Sequence, residues 1–258
     1  MTDCHIHLER GPYTVEWLEK FIRTAIDRGL EEIWFLEHTH LFQEFAPMFQ
    51  SICRYSEYQR EWYFRHQGKR NFQEYTEFIK KVRQLSFPIK LKFGLEVCYF
   101  EESEQLIGEL LQSFPFDFAV GSVHWIDGFG FDHKAELWNG QEIDRLYRRY
   151  YEIMKKLITS GLFTGVAHPD SIKAFGQRSS YDLSVTYEEI ARLLKLHDMY
   201  AEQSGGLHLN YGVDCELGMN SRMREILIAQ DVHILTASDA HSPENTGAYI
   251  DELHKLLS

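Results

Sequence analysis

Two histidines stand one residue apart near the N-terminus, in Asp3-Cys4-His5-Ile6-His7. On an extended strand residues i and i+2 point to the same face, so His5 and His7 can both reach one metal ion. With 13 histidines in 258 residues, about one such pair is expected by chance, and the motif alone decides little. The rest of the chain changes that reading. Further apolar runs end in Glu37-His38-Thr39-His40, Gly94-Leu95-Glu96, Gly121-Ser122-Val123-His124, His168-Pro169-Asp170 and Ser238-Asp239-Ala240-His241. Asp239 and His241 repeat the spacing of the first pair. Structural histidines and surface carboxylates have no reason to gather at the ends of six such runs, whereas a shared metal cluster requires it. Imidazole and carboxylate without thiolate suit Zn, Mn or Fe rather than a Cys-rich structural zinc site. The donors outnumber the needs of one ion. That points to a multinuclear site, with the isolated Glu96 as natural bridge between two ions about 3.5 to 4 Å apart.

The elements that must position these donors alternate in type. Short β-branched or aromatic runs at residues 3–7, 32–36, 89–95, 118–123, 163–167, 199–203 and 233–238 read as seven strands, separated by longer helical segments, the signature of βα units around a parallel sheet. Thr14 opens a helix over 15–28 that Gly29 closes, and Asn71 with Glu74 forms a capping box. A helix over 141–160 ends at Gly161, Thr186 with Glu189 forms a second capping box, and Pro243 starts a terminal helix running toward Leu257. The aromatic stretch 40–68 follows no simple period and reads either as an insertion over a barrel mouth or as a helical excursion. No linker, repeat or low-complexity tract divides the chain, so residues 1–258 are expected to form one domain. Seven βα units without a GxGxxG after any strand favour an α/β fold of distorted (β/α)7, TIM-like barrel type over an open dinucleotide-binding sheet. In such barrels the chemistry lies at the C-terminal ends of the strands.

Composition narrows the partners. With 44% hydrophobic and 14% aromatic residues and 6 prolines, the chain can build a substantial core, which excludes collagenous and disordered classes. The net charge is 27 − 39 = −12, which disfavours nucleic acid and anionic membrane surfaces as partners. No apolar run approaches the roughly 20 residues of a membrane span, and the first residues carry neither a basic nor an apolar leader, so a cytoplasmic location is expected. Cys4, Cys53, Cys98 and Cys215 form no CxxC pair and read as buried thiols of a reducing compartment. A homodimer is compatible with the sequence.

The series His5-x-His7, Glu37-His38, Gly94-x-Glu96, Gly121-Ser122-x-His124, His168-Pro169-Asp170 and Ser238-Asp239-x-His241 resembles, in order and over essentially the whole chain, the PHP (polymerase and histidinol phosphatase) superfamily. Gly161-Leu162-Phe163 leading into His168-Pro169-Asp170-x-x-Lys173, with Ala201-Glu202 on the next strand, is most similar to its stand-alone histidinol-phosphatase branch. The resemblance implies a distorted seven-stranded βα barrel. It also implies one metal ion on His5, His7, Glu96 and Asp239, a second on Glu96, His124 and His168, and a third on His38 and His241 with one more ligand. That last ligand is often a histidine several residues beyond the HxH motif, and here no histidine lies between His7 and His38. Glu9 continues the i, i+2 series and is the substitute. His40 is expected beside the site rather than on a metal.

The function implied is hydrolysis of a small phosphorylated substrate, L-histidinol phosphate of histidine biosynthesis, with two to three divalent ions polarising the phosphate and acidifying the attacking water. Asp239, His241 and a metal-bound water are the candidate proton donors to the departing alkoxide, and the sequence singles out none of them as a dedicated acid. Arg10, Lys173 and Arg178 follow ligand-bearing segments and are candidates for phosphate contacts; the competing reading for each is a solvated surface charge. Another small phosphate ester or nucleotide is the first alternative substrate. A metal-dependent amidohydrolase also begins with HxH and ends with Asp, but commonly carries a lysine where this chain has Glu96. A silent metal-binding scaffold is disfavoured because every ligand implied, apart from the variable third-site position, is present.

Overall fold

The computed structural model describes residues 1–212 and 215–257. Among the described residues nine strands form: β1 (Thr2–His7), β2 (Glu32–His38), β3 (Lys90–Cys98), β4 (Phe118–Ser122), β5 (Trp125–Ile126), β6 (Phe129–Gly130), β7 (Gly165–Val166), β8 (Tyr200–Ser204) and β9 (Ile234–Ala237). Apart from the small antiparallel β5–β6 hairpin, they make one seven-stranded sheet in the order β1-β2-β3-β4-β7-β8-β9, with every pair parallel. All seven strands expected from the sequence are therefore present. The sheet nearly closes: past the end of β9, Ala240 bridges Ile6 of β1, and the His7 N–H donates to the Ala240 carbonyl at 2.8 Å.

Nine α-helices among the described residues cover the strands: α1 (Val15–Asp27), α2 (Gln50–Tyr55), α3 (Glu57–His66), α4 (Phe72–Val82), α5 (Glu104–Gln112), α6 (Ile143–Thr159), α7 (Ser184–Leu196), α8 (Ser221–Ala229) and α9 (Ile250–Lys255). The Thr14 side chain accepts from the Trp17 N–H and Asn71 from the Glu74 N–H, as expected. In α1, Leu18, Phe21, Ile22 and Ala25 recur at helical spacing and are buried against the sheet. Two helix expectations are corrected. Helix α7 starts at Ser184 and leaves Thr186 inside it, because Asp182 accepts from the N–H and hydroxyl of Ser184 and turns the chain earlier. The terminal helix is broken: Pro243–Asn245 makes a single turn, the Gly247 N–H goes to Asp3 instead of a helical carbonyl, and Tyr249 sits at φ 62 before α9 begins. The stretch 40–68 is a helical excursion containing α2 and α3, with Phe42, Phe45, Phe49 and Ile52 in the core. No helix among the described residues is long and apolar enough to cross a membrane.

The barrel interior is layered, and this fixes where the chemistry sits. A small apolar cluster of Cys4, Trp34, Leu36, Phe118, Val120, Ala167, Tyr200 and Ala237 fills the barrel from within. The aromatic rings at its base fit because Gly165 has no side chain; a Cβ there would lie 2.3 Å from the Tyr200 ring. Above this plug, two residues further along each strand, inward positions change to His38 on β2 after Leu36, and Glu202 on β8 after Tyr200. Glu96 occupies the matching inward place on β3, two residues after Gly94.

Candidate metal centre

Strand β1 needs a special device to join this layer. Its register against β2 slips between Asp3 and Ile6, so that one extra residue is accommodated. Such a bulge re-aims the side chains that follow it. Cys4 lies in the interior plug, yet His5 and His7 also turn inward while Ile6 packs in the outer core. At the closing edge, the backbones of Asp239 (φ 57) and His168 (φ 29) both take left-handed conformations that non-glycine residues rarely adopt. Strain of this kind persists where surrounding structure holds it, commonly at functional sites.

The result is a tight cluster. The Nε2 atoms of His5 and His7 lie 2.9 Å apart, and both lie 3.6 Å from Asp239 Oδ1. From Glu96 Oε2 they lie 3.4 and 3.6 Å. A tetrahedral ion with bonds of about 2.1 Å spaces its ligand atoms by about 3.4 Å, so these four side chains match a metal-binding tetrahedron. The other oxygen of Glu96 meets His124 Nε2 at 2.9 Å and His168 Nε2 at 3.1 Å. His38 Nδ1 comes within 2.6 Å of Glu96 Oε2 without hydrogen-bond geometry, which leaves both atoms buried and unpaired. Such a contact fits two ligands facing a cation better than a donor facing an acceptor. On the far side, His241 Nδ1 bonds Glu9 Oε1 at 2.8 Å while its Nε2 lies 3.3 Å from Asp239 Oδ1. Three overlapping groups can hold metal ions, with ligand atoms within 4.8 Å of one another: His5-His7-Glu96, His38-Glu96-His124 and His7-Glu9-His38-His241. His40 stands apart, its ring 5.0 Å from that of His38.

Charge in this pocket is finely divided. Burial alone would raise the carboxyl pKa values, but His38, His124 and His168 hold Glu96 well below the usual range, and His241 and His7 do the same for Asp239. Burial and the neighbouring His38 and His241 push His7 down to about 3. Burial opposes protonation of His241, His5 and His124, yet Asp239 and Glu9 lift His241 to about 10, Glu202 lifts His5, and Asp132 with Glu96 lifts His124. Ligation requires neutral imidazole. The three raised histidines are protonated in metal-free protein at neutral pH and must each release a proton, whereas the carboxylates are already ionised. Calorimetric titration with Zn or Mn in buffers of different ionisation enthalpy should therefore show net proton release, and apparent affinity rising with pH. Proton uptake on binding would contradict this charge assignment.

Two carboxylates that sequence reasoning left without a role complete the shell. Glu202 accepts from His5 Nδ1 with both oxygens at 3.0 Å and also receives the His168 backbone N–H at 3.2 Å. Asp132 Oδ2 holds His124 Nδ1 at 2.7 Å. Each fixes the tautomer that turns the opposite ring nitrogen toward Glu96. A charged residue in the middle of a buried parallel strand was the available signal for Glu202; Asp132 follows the short β5–β6 hairpin and gave none.

The basic candidates lie elsewhere. Lys173 is buried, pairs with Asp170 at 2.9 Å and donates to the Gly218 carbonyl at 2.5 Å. Asp170 in turn receives the Asn220 N–H at 2.6 Å, so it ties the segment before α8 to the turn after β7. Arg178 is exposed and donates to the carbonyls of Lys173 and Gln177, and Arg10 is exposed. Among the described residues no hydrogen bond or ion pair joins these three to the cluster. Lys173→Ala should leave the buried Asp170 carboxylate without its cationic partner and cost about 3 kcal/mol of stability by denaturant titration. A loss confined to substrate affinity, with stability unchanged, would return Lys173 to phosphate binding.

Two cavities open on the cluster, sharing His124, Asp132 and Tyr211. One, of about 30 Å³, lies against His168, Glu202 and Asp239. The other, of about 220 Å³, lies against His38, His40, Trp62 and His133. His133, which fits no ligand pattern in the sequence, is thus part of the site's wall. The excursion 40–68 contributes both packing and this wall.

The sequence matches the PHP domain family over residues 3–212. A Deinococcus radiodurans protein named "Probable histidinol-phosphatase" is 25% identical over 260 residues, covering 96% of this chain and 88% of that protein. The histidinol-phosphatase of Lactococcus lactis is 25% identical over 194 residues, covering 74% of this chain and 64% of that protein. A crystal structure of histidinol phosphate phosphatase from Lactococcus lactis, complexed with zinc, L-histidinol and phosphate, matches this fold with a TM-score of 0.67 at 20% identity, covering 99% of this chain and 92% of that one. With the family matched over most of its length and the barrel shared with a solved member, this chain belongs to the PHP domain family.

Proposed function

We propose that the chain hydrolyses L-histidinol phosphate to L-histidinol and phosphate, using three divalent ions of Zn, Mn or Fe type. The observation that carries this reading is the convergence of five imidazoles on the two oxygens of one buried carboxylate, Glu96, in a chain whose relatives bear the name histidinol-phosphatase. His5, His7, Glu96 and Asp239 would hold one ion, Glu96, His124 and His168 a second, and Glu9, His38 and His241 a third. When bound, the ions supply Lewis-acid polarisation of the phosphoryl group and a water acidified toward neutral pH.

The chain's own residues do the rest. Glu202 and Asp132 keep the ring nitrogens of His5 and His124 turned to the centre. Glu9 at Nδ1 and Asp239 opposite Nε2 hold the His241 ring in place from both sides and would orient it toward the third ion. The mid-barrel carboxylate at position 96, where amidohydrolases commonly carry lysine, supports phosphoryl over acyl chemistry.

Phosphate release should be measured across a panel of monoesters on protein stripped by chelator and reloaded with Zn, Mn or Fe. Stripped protein should be inactive, and reloaded protein should turn over L-histidinol phosphate at least about tenfold faster than glycerol phosphate in kcat/KM. Equal turnover of both esters would overturn the substrate assignment, and activity in stripped protein would overturn the metal one.

A further inference from the structure

Glu9 lies two residues past the end of β1, on a turn that the Gly11 N–H closes on the Leu8 carbonyl at 3.0 Å. A functional side chain on a turn is placed only as well as that turn is held. Three side chains from other elements hold this one by its backbone. Glu37 of β2 accepts the Leu8 N–H at 3.1 Å, and the Trp17 indole of α1 donates to the Leu8 carbonyl at 3.0 Å. Beyond Leu8 the grip is that of Arg70, whose Nη2 donates to the carbonyls of both Glu9 and Gly11, the latter at 2.6 Å.

Arg70 is itself fixed. Its backbone N–H donates to the Leu41 carbonyl at 3.1 Å, it bridges Phe42 in a single parallel pair, and its guanidinium lies 5.1 Å from the centroid of the Tyr13 ring. Leu41 and Phe42 follow His38 by three and four residues. One residue therefore joins the segment that carries His38 to the turn that carries Glu9. Among the described residues Arg70 forms no ion pair; its charge is spent on backbone carbonyls, to which a cationic donor bonds more strongly than a neutral one. At the other end of the turn, Glu9 Oε1 meets His241 Nδ1 at 2.8 Å, while Glu9 Oε2, His7 Nδ1 and His38 Nδ1 are buried without a hydrogen-bond partner. Buried polar atoms left in this state call for a partner that the side chains do not supply, and a cation among them meets that need.

We infer that Arg70 is a positioning residue for the third ion: by tying the Glu9 and Gly11 carbonyls to the segment that follows His38, it sets the separation of Glu9 and His38 that one cation must bridge. The inference rests on the three-ion reading and adds a residue outside the ligand set on which one site alone depends. His5 and His7 stand on β1 itself, where the ladder to β2 places them without this clamp.

The test is equilibrium dialysis of the chelator-stripped full chain against graded free Zn, for wild type, Arg70→Met, Arg70→Lys, Glu9→Gln and the double variant Arg70→Met with Glu9→Gln. Wild type should take up three ions per chain. In Arg70→Met two ions should bind as in wild type, and the third should need about 10- to 100-fold more free Zn. Arg70→Lys keeps the charge without the planar fork and should recover part of that loss; it carries the same comparison if the methionine variant does not fold. Glu9→Gln should weaken the same ion, and adding Arg70→Met to it should change Zn binding by less than about threefold, because the clamp then has no ligand to place. Unchanged Zn binding in Arg70→Met, equal weakening of all three ions, or additive losses in the double variant each overturns the inference. If Glu9→Gln loses an ion that Arg70→Met keeps, the inference alone falls. If wild type takes up only two ions and Glu9→Gln takes up the same two, the three-ion reading falls and the inference with it.

Discussion

Replacing Glu96 with Gln should abolish phosphate release, by roughly three orders of magnitude in kcat, and at the same time lower the metal content of the protein. The two changes have one cause. His5, His7 and His38 lie 3.4, 3.6 and 2.6 Å from one oxygen of Glu96, and His124 and His168 lie 2.9 and 3.1 Å from the other. An amide keeps the shape but carries no charge, and one of its two positions becomes a donor that cannot ligate a cation. Five imidazoles would then surround a neutral group at the centre of the barrel, and two candidate sites would lose their shared anion. Metal analysis after gel filtration should show a deficit of at least one ion per chain, and added metal should rescue activity only weakly. Wild-type activity with full metal content in Glu96→Gln would remove the bridging role. The substitution should not unfold the protein, because the amide keeps the volume of the carboxylate and leaves the side chains of the apolar plug unchanged.

The ligand layer was legible in the sequence for a physical reason: in a parallel barrel the strands run as continuous apolar stretches, and a histidine or carboxylate at the end of each interrupts the pattern visibly. Glu202 carried part of the family resemblance but received no role, because it lies within β8 and not beyond it, where the other donors stand. Asp132 and His133 escaped because the hairpin preceding them has two-residue strands too short to show a period. The bulge in β1 has no compositional signal at all; the inward turn of His5 and His7 next to the equally inward Cys4 becomes visible only in the register against β2. Lys173 follows a ligand motif closely enough to look like a phosphate contact, and its partner in the structure, Asp170, stands three residues away in the same turn. The terminal helix failed at Gly247, where a hydrogen bond to the buried Asp3, 244 residues distant in sequence, outweighs local propensity.

Gly206→Ala is the second substitution with a large expected effect, at a residue that touches no ion. Gly206 follows β8 and has φ −56 and ψ −38, ordinary helical values that alanine adopts without strain. The methyl group, however, would lie 2.1 Å from Asp239 Oδ2 and 2.7 Å from its Cβ. Asp239 has nowhere to retreat: its backbone is already left-handed at φ 57, its carbonyl accepts from Asn210 Nδ2 at 2.9 Å, and His5, His7 and His241 stand 3.3 to 3.6 Å from Oδ1. Accommodating the methyl must move the carboxylate away from the two histidines of β1, and a displacement of about 1 Å at such a site lowers kcat about 100-fold. The adjacent Gly205→Ala serves as control. Its added methyl meets Tyr249 at 3.2 Å instead, so it should cost about 1 kcal/mol of stability through overpacking and leave kcat within about threefold. Equal kcat values for the two variants would show that the carboxylate of Asp239 can shift freely, and would remove it from the positioning of the first ion.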